Sequence, residues 1–99
     1  NEGILSTDEN YRIISVNPIV EALSGYSRVE LLGQHITLLV PKGRLEEYME
    51  LCFEKLNTTG SWRGELELQA RNAPAIPVLL SMALVRDAKQ KIYDQYIDR

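Results

Sequence analysis

Three extended runs follow one another at the end of this 99-residue chain with no helix between them, and that order restricts the fold more than any other feature. From Trp62 to Ala70 the residues alternate. Trp62, Gly64, Leu66, Leu68 and Ala70 fall on one side and Arg63, Glu65, Glu67, Gln69 and Arg71 on the other, as a strand wet on one face requires. A second run, Ile76 to Val85, follows the turn candidates Asn72 to Ala75, and a third, Ile92 to Ile97, follows Asp87 to Lys91. Parallel doubly wound sheets place a helix between successive strands, so three strands in a row predict an antiparallel sheet with helices on one face. The class is α+β.

The helical block lies upstream. Gly3 to Thr7 and Tyr11 to Val16 read as a hairpin, joined by Asp8-Glu9-Asn10, whose side chains can bond neighbouring backbone groups. Asn17-Pro18 is a cap followed by a proline at the first helical position. The helix that starts there carries Ile19, Val20 and Leu23 and stops at Gly25. Ser27 and Glu30 have the spacing of a capping box before Leu31-Leu32 and a second stop at Gly33. After the apolar stretch Ile36 to Val40 and Pro41, a main helix is predicted from Leu45, Tyr48, Met49, Cys52, Phe53 and Leu56. Its polar side holds Glu46, Glu47, Glu50, Glu54 and Lys55, and it ends at Asn57-Thr58-Thr59-Gly60.

Length fits one domain over residues 1–99. Eleven Lys and Arg against fourteen Asp and Glu, scattered along the chain, provide no basic patch, so nucleic acid is not an expected partner. No apolar run approaches the roughly 20 residues that cross a bilayer, and the lone Cys52 fits a reducing compartment, so the expectation is a cytoplasmic segment without membrane contact.

Residues for catalysis are few. Cys52 falls on the apolar stripe of the main helix, where a thiol behaves as a small hydrophobe. His35 is read as a hydrogen-bonded loop residue; the alternative is a small α+β enzyme using His35 with a nearby acid. Zinc-ligand spacing and phosphate-binding glycine loops are absent. Tyr48, Met49 and Cys52 on the helix face Leu66, Leu68, Val78, Leu80 and Met82 on the sheet, and this set either lines a small-molecule pocket or is packed core.

Asn17-Pro18, Leu23-Ser24-Gly25-Tyr26-Ser27, Glu30-Leu31-Leu32-Gly33, Trp62-Arg63-Gly64-Glu65 and Ile76-Pro77-Val78, in this order, resemble a PAS domain. PAS domains are the sensory modules of bacterial histidine kinases, GGDEF-type diguanylate cyclases and related regulators. The resemblance runs from Gly3 to Asp87 and on toward Arg99. It implies a five-stranded antiparallel sheet of order 2-1-5-4-3 and a module without catalysis of its own. Such a module binds a small ligand, or relays a partner's conformational signal, to an effector domain that follows it; the alternative is a ligand-free protein-interaction domain of the same family.

The cofactor is unknown. Flavin sensors of the family carry a reactive Cys in a Gly-Arg-Asn-Cys run that here reads Gly33-Gln34-His35-Ile36, which excludes the photoadduct. Haem sensors place a His on the main helix, where this chain has none between Arg44 and Leu56, so haem is not expected. The resemblance also implies an ion pair between Glu30 and Arg71. It shows one departure: Asn72-Ala73-Pro74-Ala75 stands where the hairpin usually turns through Asp-Gly, so the turn type must differ. On the outer face of the second long strand, Leu79, Ala83 and Val85 are apolar where a solvated face is polar. With the chain beginning almost at its first strand, the expectation is a homodimer or an exposed apolar patch.

Overall fold

One carboxylate closes the first hairpin. Asp8 Oδ1 accepts hydrogen bonds from Asn10 N and Arg12 N, both at 2.9 Å, and turns β1 (Gly3–Thr7) into β2 (Ile13–Val16). A computed structural model of the chain describes residues 2–87. The strand predicted from Tyr11 begins two residues later, because Tyr11 itself sits at φ 60° and leaves the extended region.

Asn17 joins the hairpin to the helical layer. Its Oδ1 accepts from Val20 N at 3.1 Å, capping α1 (Pro18–Ser24), and from Ile4 N at 3.0 Å, while Nδ2 donates to Glu2 O at 3.0 Å. The start of the helix is thereby bonded to β1. Gly25 ends α1 at φ 78°, a conformation that costs glycine nothing. Ser27 and Glu30 form both bonds of the capping box on α2 (Arg28–Leu31). A 3-10 turn (Ile36–Leu39) leads to the long helix, which runs as α3 (Leu45–Tyr48), a π-helical turn (Met49–Phe53) and α4 (Glu54–Thr59), ending at Gly60 with φ 86°.

The alternating run forms β3 (Ser61–Leu68) and pairs antiparallel with β4 (Ile76–Leu84), from Ser61 opposite Ala83 to Leu68 opposite Ile76. Trp62 lies flat over Gly64 on the inner face: a Cβ at Gly64 would stand 2.8 Å from the indole ring. The loop from Gln69 to Ala75 turns with Asn72 at φ 52°, the left-handed position that Asn tolerates.

Two expectations about the sheet are corrected. The described residues form four strands in the order β2-β1-β4-β3, not five in the order 2-1-5-4-3; the third predicted run, Ile92 to Ile97, lies outside the described residues. The sheet is also mixed, because β1 and β4 run parallel from Gly3 opposite Leu80 to Thr7 opposite Leu84. The whole helical layer and β3 separate those two strands in sequence. A connection of that length lets β4 return alongside β1 in the same direction, which a short turn cannot do.

The core lies between the inner face of the sheet and the helices. Leu5, Ile13, Leu68, Val78, Leu80, Met82 and Leu84 from the strands meet Val20, Leu31, Ile36, Leu39, Tyr48, Cys52, Phe53 and Leu56, all buried. Replacing Asn17 by Ala removes a cap, one tie to β1 at Ile4 and one to Glu2, and should cost about 2 kcal/mol in urea unfolding. Asn17→Asp keeps the accepting oxygen and should recover about half of that loss; a loss within error for Asn17→Ala would contradict the joint described.

Candidate functional site

The π-helical turn decides which helix residues face the sheet. Glu54 N donates to Met49 O, a five-residue step that swings Cys52, Phe53 and Leu56 into line with Tyr48. Met49 is left off the buried stripe, 46% exposed, and Leu45 one turn earlier shares its outward side. Met49 is thus a pocket candidate that the structure places on the surface. Tyr48, Cys52, Leu66, Leu68, Leu80 and Met82 do converge, with Ile36, Leu39, Val40 and Phe53, around a cavity of about 20 Å³. Val78 is buried beside this group without lining the void. A void of that size holds about one water molecule and no ring system.

Tyr48 reaches through the core to the edge of the sheet. Its hydroxyl accepts from Glu67 N at 3.0 Å and donates to Glu67 O, so one phenol satisfies both outward backbone groups of a β3 residue. Burial pushes the Tyr48 hydroxyl above its ordinary pKa, which keeps it protonated as a donor. Arg44 stacks over the Tyr48 ring at 5.2 Å and spans helix and strand: it bonds Glu47 at 3.0 and 2.7 Å and Glu67 at 3.0 Å. The Glu47 carboxylate is held below its ordinary range by the Arg44 hydrogen bonds.

Burial likewise raises the Cys52 thiol to about 11, and its S–H donates to Tyr48 O at 3.3 Å. No cation is among its bonded neighbours, so the sulfur is held as an inert thiol. His35 caps the 3-10 turn, with Nδ1 accepting from Thr37 N at 3.3 Å and lying 2.9 Å from Thr37 Oγ1. Its recorded partners include no carboxylate, and the described residues contain no group of three or more His, Cys, Asp or Glu that could hold a metal ion.

Glu30 and Arg71 are brought together as an ion pair. Glu30 also accepts from Ser27 N at 3.0 Å, and that bond, followed by the one from Arg71, holds its carboxyl below the usual range. Arg71 N donates to Ser24 O at 2.7 Å, and its guanidinium lies 5.4 Å from the Tyr26 ring centre, so the β3–β4 loop docks on the α1–α2 corner.

On the outer face, Ala83 is exposed, and Leu79 and Val85 are partly buried. Ile4, directly opposite Ser81, adds an apolar side chain at 52% exposure. Across this face Glu2 bonds Ser81 and, at 2.8 Å, Arg63. Sequence reasoning did not place Ile4 on the outer face, nor Phe53, Ile36 and Leu39 around the cavity. Alternation within β1 held the signal for Ile4, and the apolar stretch before Pro41 held it for Ile36 and Leu39.

A family profile described as PAS domain matches residues 1–97. Among solved structures, the chain is similar to the crystal structure of the PAS domain of a protein from Colwellia psychrerythraea, at 25% identity and a TM-score of 0.64. That match covers 78% of this chain and 64% of the other. No curated protein matches.

Two outcomes follow from this geometry. Tyr48→Phe leaves both Glu67 backbone groups without their partner and should cost about 1–3 kcal/mol, read by urea unfolding; an unchanged midpoint would show that the hydroxyl bond is not made. For Cys52, the folded pKa lies above that of the unfolded chain. Its contribution to stability is therefore full below the ordinary thiol value near 9 and declines as the pH rises toward 11. Thiol labelling at pH 8 should be slow in the folded protein and fast in urea; equal rates would contradict the burial.

Proposed function

We propose, for a chain that belongs to the PAS domain family, that it serves as a sensory and dimerisation module which passes on a partner's conformational signal through its surfaces. PAS domains are in general non-catalytic sensory modules. The observation that carries this reading is the filled core: the inner face offers a void of about 20 Å³, too small for a flavin, a haem or any ring-containing ligand. Input then arrives by contact. The surface that fits this task is the outer face of the sheet, where Ile4, Leu79, Ala83 and Val85 form an apolar strip beside the Glu2–Arg63 pair.

The parent protein in this proposal is a cytoplasmic multidomain regulator of the histidine kinase or diguanylate cyclase type, with its effector domain on the C-terminal side. The modules act as a homodimer in the parent protein, where Leu79, Ala83 and Val85 lie at a contact or under a covering helix. Among the described residues, no helix is long and apolar enough to cross a membrane. His35 commits its Nδ1 to the cap of the 3-10 turn.

Native mass spectrometry of the freshly purified chain should return the same mass per protomer as the denatured chain; a retained small molecule would contradict a filled core. In the parent protein, Ala83→Arg should uncouple effector output from input while the domain's circular dichroism stays unchanged, and intact coupling would contradict the outer-face role.

A further inference from the structure

The two edges of the sheet are finished differently. Along β2, residues 33–36 cover the start of the edge: Gly33 N donates to Ile13 O, Ile13 N to Gln34 O and Ile36 N to Tyr11 O, each at 2.8 Å. Along β3 the closure is partial. Leu84 N donates to Gly60 O, so in this antiparallel ladder the even-numbered residues bond β4, and Ser61, Arg63, Glu65 and Glu67 turn their backbone groups outward. Hydroxyls take the groups at both ends. Thr59 Oγ1 accepts from Ser61 N at 3.4 Å and shares its single proton between Lys55 O at 2.8 Å and Ser61 O at 2.9 Å, while the Tyr48 hydroxyl holds both groups of Glu67. Between these two caps, Arg63 and Glu65 present their N–H and C=O groups with no partner among the described residues.

We propose that a second copy of this chain pairs at this two-residue window, antiparallel about a two-fold axis through Gly64. Arg63 then stands opposite the partner's Glu65, and Glu65 opposite the partner's Arg63. Only this register uses the open groups and no others: each facing pair exchanges both of its bonds, giving four hydrogen bonds across the axis. Sliding one way sets Arg63 against the partner's Arg63 and requires the groups of Ser61; sliding the other way sets Glu65 against the partner's Glu65 and requires those of Glu67. Both alternatives meet capped groups and face like charges.

The inner face agrees with the same register. Trp62 comes opposite the partner's Leu66, both side chains being only partly buried in one copy, and Gly64 meets the partner's Gly64. An edge guarded by charges of one sign repels its own copy, whereas the two residues of this window carry opposite signs and the window is complementary to itself, as a two-fold contact requires. Four hydrogen bonds and two ion pairs make a small contact, so the pairing belongs to the weak class and becomes populated where a parent protein holds two copies close together.

Sedimentation equilibrium of the 99-residue chain up to about 1 mM, the local concentration a short tether provides, tests the pairing. The wild-type chain should dimerise with concentration. Arg63→Glu and Glu65→Arg should each weaken dimerisation by about tenfold or more, since like charges then face each other twice. An equimolar mixture of the two variants should restore it, because every Glu then meets an Arg across the axis. Glu65→Pro deletes an outward N–H without touching the β4 ladder and should abolish pairing at unchanged circular dichroism. Ala83→Arg, on the outer face, should leave this association intact, which separates it from the outer-face contact. A chain that stays monomeric throughout, a mixture no better than its components, or loss of association in Ala83→Arg alone would overturn the proposal.

Discussion

The long helix must cover the inner face of a four-stranded sheet, and the contact between Tyr48 and Cys52 on one side and Leu66, Leu68, Leu80 and Met82 on the other makes the rest of the molecule possible. A chain of this length has one core and no redundancy. The π-helical turn rotates the second half of the helix relative to the first, and Tyr48, Cys52, Phe53 and Leu56 are buried while Leu45 and Met49 stay outward. Tyr48 then does two things from one position: its ring fills the core, and its hydroxyl bonds the backbone of an edge strand that the helix otherwise only touches.

Close packing of the interior shifts attention to the surfaces. With room inside for about one water, the proposed function places binding and conformational bias in groups that the fold leaves outward. The apolar strip on the outer face and the uncapped stretch of β3 are two such places, and they are built from the same alternation: the residues that face away from the core on β3 and β4 supply Arg63, Glu65, Leu79 and Ala83. Glu2 ties the two regions by bonding both Ser81 and Arg63. A partner pressing on the outer face would therefore bear on the side chain that stands at the β3 edge.

What could be read from the residues was whatever a few neighbouring residues decide. The Asn17 cap, the Ser27 and Glu30 box, the stops at Gly25 and Gly60 and the period-two alternation of β3 all formed as the local chemistry dictates, because each is closed by bonds spanning three or four residues or by a single face of burial. The β1–β4 pairing was not legible. It joins segments more than seventy residues apart in sequence, and nothing in Gly3–Thr7 distinguishes a parallel from an antiparallel neighbour. The π-helical turn was hidden for a different reason: its sequence reads as ordinary helix, and tertiary packing selects the wider turn, which is why Met49 was grouped with the pocket. The other cavity-lining candidates were placed by alternation in the strands and by three- and four-residue spacing in the helix, while the paired hydrogen bonds from Tyr48 to Glu67 carry no sequence signal, since a Tyr on an apolar stripe looks like any other large core residue.

The packing of the long helix on the sheet is tested most directly by a double-mutant cycle in urea unfolding between Cys52→Ala and Leu80→Ala. Side chains that share the wall of one small void should show a coupling energy of about 0.5–3 kcal/mol. Strictly additive losses would mean that the helix and the inner face of β4 do not meet as described.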